Sequence, residues 1–542
     1  MTNPIVNVNV SVLAAPAPPT LQKTGALISQ GGTITAPATQ SLLTQLSDLT
    51  PLLNGAKALT SITWSGTNAT ATTASPHGLT GSLPLTIAGV TPAGYNGTYY
   101  CTITGASTFS YQLEVNPGLQ SVAGVYSEED IAELLDMATT FFDQGSGQAV
   151  YVLELGPGNA TVGVAFLEAW ITANPGVFYS YLVPRYWDGN AAFLVMCGQF
   201  NQTTAKTYFF VTTNLQNWML YTAAMKCVVA LIEAPDYGVW SANNLLGFSQ
   251  TTGQASATTT TNHGVLPGQV FQLAGNSPAG WDGYFVADAQ TTGSTLGFQV
   301  PSSLGAETAL GELVASLYSS SGIPTTEFSH ASDYWVTLNY KPSSTNKVTP
   351  LNLSYLFDVT PFPTQGNAAL VEELNTGNIN IVSTGAQGGI STDILIGGNN
   401  MDGNPFNYWY SVDWVQINAQ LNVTAALIAG SNNPGNPIYY DQNGINALAQ
   451  VLISTMNTGI TNGLVLNPVK LTQMDAADFA AALTAGTFDG YTVVNAEPFA
   501  TYVTENPSDY STGVYNGFSI VYVPLRGFDS ITINITVSNF AS

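Results

Sequence analysis

Both ends of the chain alternate apolar and polar residues. Near the N-terminus, "VNVNVSV" sets Val6, Val8, Val10 and Val12 against Asn7, Asn9 and Ser11. Near the C-terminus, "ITINITV" sets Ile531, Ile533, Ile535 and Val537 against Thr532, Asn534 and Thr536. Period-two alternation predicts half-buried β-strands. The Pro-rich "AAPAPPT" at 14–20 follows the first strand as a tether that lets it leave its own domain. Two readings stand for each end. The strand closes a sheet of its own subunit, or it joins a neighbour's open sheet edge. The tether favours the second reading for the N-terminal end.

Between the ends the period changes. In "SEEDIAELLDMATTFFDQG", Ile131, Leu134, Leu135, Ala138, Phe141 and Phe142 follow helical spacing, with Ser127 as N-cap and Asp130 three residues on. "AVYVLELG", "VFYSYLVP" and "AAFLVMCG" read as strands, and "VAFLEAWITA" and "NWMLYTAAM" as helices. Further on, "SDYWVTLNY" and "GFSIVYVPLR" read as strands, and "NAALVEELNTG" as a helix ending at Gly377. "YWYSVDWVQINAQLNVTAALIAG" is a long strand or helix, and "DQNGINALAQVLISTMNTGI" an amphipathic helix with Ile445, Leu448, Val451, Leu452 and Met456 on one stripe. Strands alternating with helices predict a βαβ-type layered core.

Two stretches repeat. "HGLTGSLPLTIAGVTPAGYNGTYY" from position 77 returns as "HGVLPGQVFQLAGNSPAGWDGYFV" from position 263. Gly78, Gly89, Pro92, Ala93, Gly94 and Gly97 recur as Gly264, Gly275, Pro278, Ala279, Gly280 and Gly283, and Tyr95 recurs as Trp281. Short strands with regular turns predict a small all-β domain in each copy. The two domains read as insertions on exposed loops of the core, where chain ends lie close together. Tyr95 and Trp281 are candidate exposed residues of these modules. The fold class is therefore α/β (α+β), multidomain, with two inserted small all-β domains and strand-like arms.

Composition narrows the function. At about 150 residues per domain, 542 residues make three or four domains. Only 8% of residues are charged, against roughly 25% in ordinary soluble domains. A surface of Thr, Asn, Ser, Gln and Gly suits a protein packed against copies of itself, although secreted adhesins share the bias. The net charge is −24, with nine cationic side chains and two arginines, Arg185 and Arg526. Phosphate neutralisation needs clustered Lys and Arg, so no nucleic-acid partner and no anionic membrane partner is expected. No signal peptide and no membrane span is read. Cys101, Cys197 and Cys227 are too few and too widely spaced for a disulfide framework or zinc motif. Cys197 and Cys227 read as core. Cys101 is read as open to exposure, with a cross-link to a neighbour as one outcome.

Catalytic constellations are scarce. There is no P-loop, no H-E-x-x-H and no G-x-S-x-G. "GPGNATVG" resembles a nucleotide turn loosely, since Gly156 and Gly158 fit but the third glycine falls late, at Gly163. His77 and His263 read as turn histidines bonded to backbone. His330, near Glu327 and Asp333, reads as part of a solvated loop before a strand. "GGNNMDGNPF" at 397–406 carries oxygen donors but lacks the closing glutamate of an EF-hand. No catalytic residue, metal site or cofactor is expected, and the chain reads as a non-enzyme.

Several segments resemble contractile tail sheath proteins of myophages. "FFDQGSGQAVYVLELG" (141–156) is similar to the helix–turn–strand found early in that family. "NPIYYDQNGINALAQVLISTMNTGITNGLV" (436–465) resembles its C-terminal helix and following turn. "VNVNVSV…GALISQGG" and "FDSITINITVSNF" look like its two ends, and the repeated module resembles small β-domains scattered among phage tail proteins. The doubled module enlarges a scaffold that is commonly shorter.

The resemblance implies a virion protein assembled in the bacterial host cytoplasm. Its partners would be itself, as hexameric rings in a helical array, a tail tube protein, and baseplate and tail terminator proteins. The array would contract to drive the tube through the host envelope, with terminal arms exchanged as strands. It implies this layout: an arm at 1–22, core at 23–60 and 125–246, β-domains at 61–124 and 247–316, more core at 317–430, a tube-facing C-terminal domain at 431–528 and an arm strand at 529–542. In that domain the candidate tube-facing helix carries Ile445, Leu448, Gln450 and Ser454. Two rival readings are a phage surface adhesin or receptor-binding tail protein holding glycans on the modules, and a secreted polysaccharide-degrading enzyme.

Overall fold

A computed structural model describes residues 23–527 apart from 67, 80, 114–115, 201–205, 215–216, 235–242, 252–253, 261–269, 289, 293, 301–304, 317–326, 340–342, 344–346, 363–367 and 388–389. Its centre is an eight-stranded sheet. The strands are β1 (Gly25–Ser29), β2 (Gln40–Leu43), β3 (Val150–Glu154), β4 (Ser180–Leu182), β5 (Tyr208–Thr213), β6 (Val228–Ile232), β7 (Asn380–Gln387) and β8 (Ile390–Ile396). The spatial order is β2-β3-β1-β4-β5-β6-β7-β8. From β3 to β7 neighbours run parallel, while β2 and β8 close the edges antiparallel. Strands such as "GALIS" and "VVALI" are buried at every residue, as expected of central parallel strands covered on both faces.

Helices supply both covers. They are α1 (Glu129–Asp143), α2 (Ala160–Ala173), α3 (Ala191–Phe200), α4 (His330–Thr337), α5 (Ala368–Thr376), α6 (Phe406–Ser431) and α7 (Gln442–Thr461). One face of the sheet packs on α1, α4 and α6 through Phe141, Tyr334, Phe406 and Tyr410. The other packs on α2, α3 and α5 through Leu167, Phe193 and Leu374. The C-terminal unit lays α7 on a three-stranded sheet of β9 (Val469–Thr472), β10 (Thr492–Ala496) and β11 (Phe518–Val521), ordered β9-β10-β11.

Five local expectations fail. "AAFLVMCG" forms α3, not a strand. Asn190 Oδ1 accepts from the main-chain N–H groups of Ala192 and Phe193 at 3.0 and 3.2 Å, which starts a helix. Phe193, Met196 and Cys197 then bury one helical face. "SDYWVTLNY" is α4, not a strand. Tyr334 points from it across the sheet and donates to the carbonyl of Ser180 at 2.9 Å. "NWMLYTAAM" keeps only the single turn Trp218–Leu220. "GFSIVYVPLR" divides, with β11 joining the C-terminal sheet and Val523–Pro524 pairing with Val465–Leu466. Ser127 lies within the strand Val125–Glu128 rather than capping α1, which starts at Glu129. The ambiguous long segment is helical, as α6.

The first repeat is a closed barrel of strands Lys57–Ser65, Asn68–Thr73, Ser82–Ala88, Gly97–Gly105, Thr108–Gln112 and Val125–Glu128. Around the barrel the order is first, second, fifth, fourth, third, sixth. The second repeat has six strands from Asn243–Thr251 to Glu312–Ser316 in the same order. Its fourth and fifth strands meet only at the bridge between Ala287 and Phe298. Both repeats use the same internal lock. Gln120 Oε1 accepts from the Ile62 N–H in the first, and Glu307 Oε2 from the Phe248 N–H in the second, each at 2.6 Å.

Candidate functional site

Ligands of open parallel sheets sit beyond the carboxyl ends of the strands, where the strand order reverses. Here that place lies past β1 and β4, where Gln30 meets Tyr186 and Trp187, and the chain fills it and the adjoining end of β3 with its own side chains. Glu154, at the end of β3, is 1% exposed. Its carboxylate accepts from Ser29 Oγ (2.8 Å), the N–H groups of Gly31 (2.6 Å), Thr33 (3.1 Å) and Gly156 (2.7 Å), and Thr33 Oγ1 (2.7 Å). In the glycine-rich turn the Gly156 N–H already bonds Glu154. A Cβ on Gly163 would stand 2.3 Å from the Gln30 carboxamide, so Gly163 makes room for Gln30. That side chain accepts from Tyr186 Oη (2.5 Å) and Trp187 Nε1 (2.7 Å) and donates to the Asn159 carbonyl (3.2 Å).

Beyond β4 and β6 lies a buried ionic cluster. The Arg185 guanidinium pairs with Glu233 at 2.8 Å and approaches Glu133 at 3.9 Å. It also donates to the Glu327 carbonyl and stacks 4.2 Å from the Phe328 ring centroid. The Arg185 N–H gives Glu133 a 2.6 Å bond, and the Ser329 N–H gives Glu233 one of 2.7 Å. Burial pushes the Glu133 carboxyl up to about 7 against the pull of Arg185, and burial likewise raises Asp136 to about 6. A second network fastens α6 to the sheet. Asp413 accepts from Tyr179 Oη and Tyr208 Oη, both at 3.0 Å, and from Lys206 Nζ at 2.8 Å.

The histidines bridge structure. His330 belongs to α4 and is fully buried, which corrects its reading as part of a solvated loop. Its Nδ1 meets Asp333 Oδ1 at 2.7 Å and its Nε2 the Val229 carbonyl at 2.9 Å. Both ring nitrogens are occupied, and neither reaches solvent. His77 Nδ1 accepts from the Leu79 N–H at 3.1 Å, and His263 lies outside the described residues. Among the described residues, no three His, Cys, Asp or Glu side chains converge as a metal site, and no helix is long and apolar enough to cross a membrane.

The module aromatics are corrected most sharply. Tyr95 and Trp281 are 1% and 2% exposed. Tyr95 Oη donates to the Gly118 carbonyl at 2.6 Å, and Trp281 Nε1 to that of Gly305 at 3.3 Å. They plug equivalent barrels and cannot stack on a sugar, so the glycan-binding rival loses its motive. Cys101 is likewise fully buried, which removes it as a cross-linking thiol. Trp281 stacks on Phe248 at 4.3 Å between centroids. Trp281→Ala is expected to cost the second module about 3–5 kcal/mol, read as selective protease cleavage within 243–316 while the rest of the chain stays resistant.

The α7 candidates separate. Asp441 caps the helix by accepting from the Gly444 N–H at 2.8 Å. Ile445 is buried against β10 through Ala496, which takes it off the helix's exposed face, and Leu448 is half-buried against the core. Gln450 and Ser454 are exposed, on a face with Asn443, Ala447 and Asn457 that carries no charge. Val6, Val8, Val10, Val12, Ile531, Ile533, Ile535 and Val537 lie outside the described residues.

Sequence reading passed over Glu154, the Arg185 cluster and Asp413. The available signal was rarity. Glu154 is the one charge in "AVYVLELG", and Arg185 is one of two arginines in the chain.

No protein-family model matches the chain, and no curated protein matches it. Among solved structures it is similar to the sheath tail protein Lin1278 from Listeria innocua. The identity is 9%, the TM-score 0.33, and the match covers 84% of this chain and 87% of that one.

Proposed function

We propose that this chain is a structural subunit of a bacteriophage contractile tail sheath. It polymerises as stacked hexameric rings around a tail tube and contracts to drive the tube through the host envelope. The observation that carries this reading is the C-terminal unit. It shows solvent an uncharged face of α7, and its three-stranded sheet ends in the edge strands β9 and β11. An uncharged amide and hydroxyl face suits sliding contact with a partner, because no ion pair must break when subunits move. Open edges suit strands donated by neighbouring arms. The arms 1–22 and 529–542 are the donors, and the two barrels are outward insertions at the surface of the array. A head-to-tail contact that does not close produces the helical array.

The energy of contraction would be the difference between two packings. The partners are other copies of this chain, the tail tube protein, and baseplate and terminator proteins, in a virion assembled in the host cytoplasm.

Electron microscopy of the concentrated protein tests the reading. Rings or hollow tubes with a lumen wide enough for a tail tube are expected, and deletion of residues 1–20 should abolish stable tubes. Monodisperse monomers or slender trimers would overturn it.

A further inference from the structure

The outer edge of β8 is covered by an irregular ribbon. Leu353 N–H donates to the Leu395 carbonyl at 2.8 Å, Leu395 N–H to that of Ser354 at 3.0 Å, and Leu356 N–H to that of Asp393 at 2.9 Å. Leu351 and Leu356 turn inward and are 3% exposed. On the other side Leu353, Tyr355 and Phe357 are 48%, 63% and 54% exposed. This apolar row stands at two-residue spacing, three exposed large side chains within five residues. It is held rigidly. Gln144 accepts from the Phe357 N–H at 2.9 Å and donates to the Phe357 carbonyl at 2.7 Å. Leu353 sits at φ 66°, a left-handed conformation that a leucine rarely adopts.

The chain's own C-terminal segment emerges beside this row. After Val523–Pro524 pairs with Val465–Leu466, the Leu525 N–H donates to the Leu464 carbonyl. Two residues later, a Cβ on Gly527 would stand 2.6 Å from Pro350. Pro350 begins the stretch that becomes the exposed row. Ile531 lies four residues beyond Gly527, within about 14 Å of extended chain, a reach comparable to the five residues from Pro350 to Tyr355. The segment carries Ile531, Ile533 and Ile535 at the same two-residue spacing as the row. From Ser530 to Ser542 it has no charged side chain, so it can lie beside Asp358 and Asp393 without repulsion.

We propose that in the free subunit residues 530–537 lie along the Leu353–Tyr355–Phe357 row of their own chain, with Ile531, Ile533 and Ile535 covering it. The row is a parking place for an apolar strand that would otherwise template aggregation. Release of the strand on assembly rests on the sheath reading; the parking itself does not. The other apolar acceptor near the exit is the Leu466 and Val523 pair, 41% and 50% exposed. The chain has already left that pair by Gly527, which lies against Pro350, so reaching it requires the chain to turn back after Gly527.

The test is disulfide trapping in the full chain, kept dilute and monomeric. The native thiols Cys101, Cys197 and Cys227 are buried, so introduced cysteines report alone. Tyr355→Cys with Ile533→Cys is expected to form an intrachain bond in most molecules under mild oxidation. The alternative pair, Val523→Cys with Ile533→Cys, should cross-link at least tenfold less. Preferential trapping at Val523, trapping only between chains, or no trapping by either pair would each overturn the proposal. Tube formation by a chain that traps at neither site would sink the parking and leave the sheath reading intact. Trapping at Tyr355 in a chain that never polymerises would do the reverse. If both hold, the oxidised Tyr355→Cys/Ile533→Cys chain should polymerise at least tenfold more slowly than its reduced form.

Discussion

Replacing Glu154 by alanine is expected to destabilise the central sheet by about 4 kcal/mol or more, since each buried donor left without a partner costs roughly 1–3 kcal/mol. Five donors converge on this carboxylate, three of them main-chain N–H groups that cannot turn away. With Glu154 1% exposed, water has little access to replace it. Glu154→Gln should cost less, because one carboxamide oxygen still accepts while the NH2 faces donors. Denaturant unfolding followed by fluorescence of the buried Trp187 measures both. A loss under about 1 kcal/mol for Glu154→Ala would show that the turn after β1 rearranges freely. The main-chain N–H groups of Gly31, Thr33 and Gly156 at the strand ends are thus already bonded within the chain.

Arg185→Leu is expected to cost about 3–5 kcal/mol near pH 8, because it leaves Glu133 and Glu233 buried without a counter-charge. The direction with pH follows from Glu133. Its carboxyl is raised by burial from 4.5 to about 7 in the folded chain. A raised acid stabilises the fold fully below the unfolded value, and that contribution is lost as pH rises through the folded one. Glu133 is thus protonated in the fold at pH 5, and the damage from losing Arg185 should be smaller there than at pH 8. Conversely, Glu133→Gln should leave stability unchanged near pH 4.5 and equal or raise it at pH 8. Thermal unfolding at the two pH values is the measurement. A penalty for Arg185→Leu that grows on acidification would show that the guanidinium does not offset Glu133.

Period carried most of the secondary structure. Continuous apolar runs such as "VYVLE" and "VVALI" form buried parallel strands, and the Ile445–Met456 stripe forms α7. Period failed for short all-apolar segments. "AAFLVMCG" is apolar at every residue but its glycine, so neither two nor 3.6 can be read from it. Asn190, one residue upstream, supplies the missing start signal. Tyr95 and Trp281 show the other failure. An aromatic between turn glycines looks presented to solvent, yet the turn folds it back as a barrel plug, with its polar tip on a carbonyl.

The amino-acid order alone determined that both ends alternate, that one β-module occurs twice, and that the surface is poor in charge, since each is a property of neighbouring positions or simple counts. Only the tertiary structure decided which carboxylates are buried and what neutralises them. Arg185 meets Glu133 and Glu233 across 52 and 48 positions, and Asp413 meets Tyr179 across 234. No local period encodes contacts at such separations. The Arg185 cluster exists because parallel strands deliver their carboxyl ends to one side of the sheet, where α1 and the start of α4 close over them, and the Asp413 network because α6 packs at the opposite, amino ends of β4 and β5.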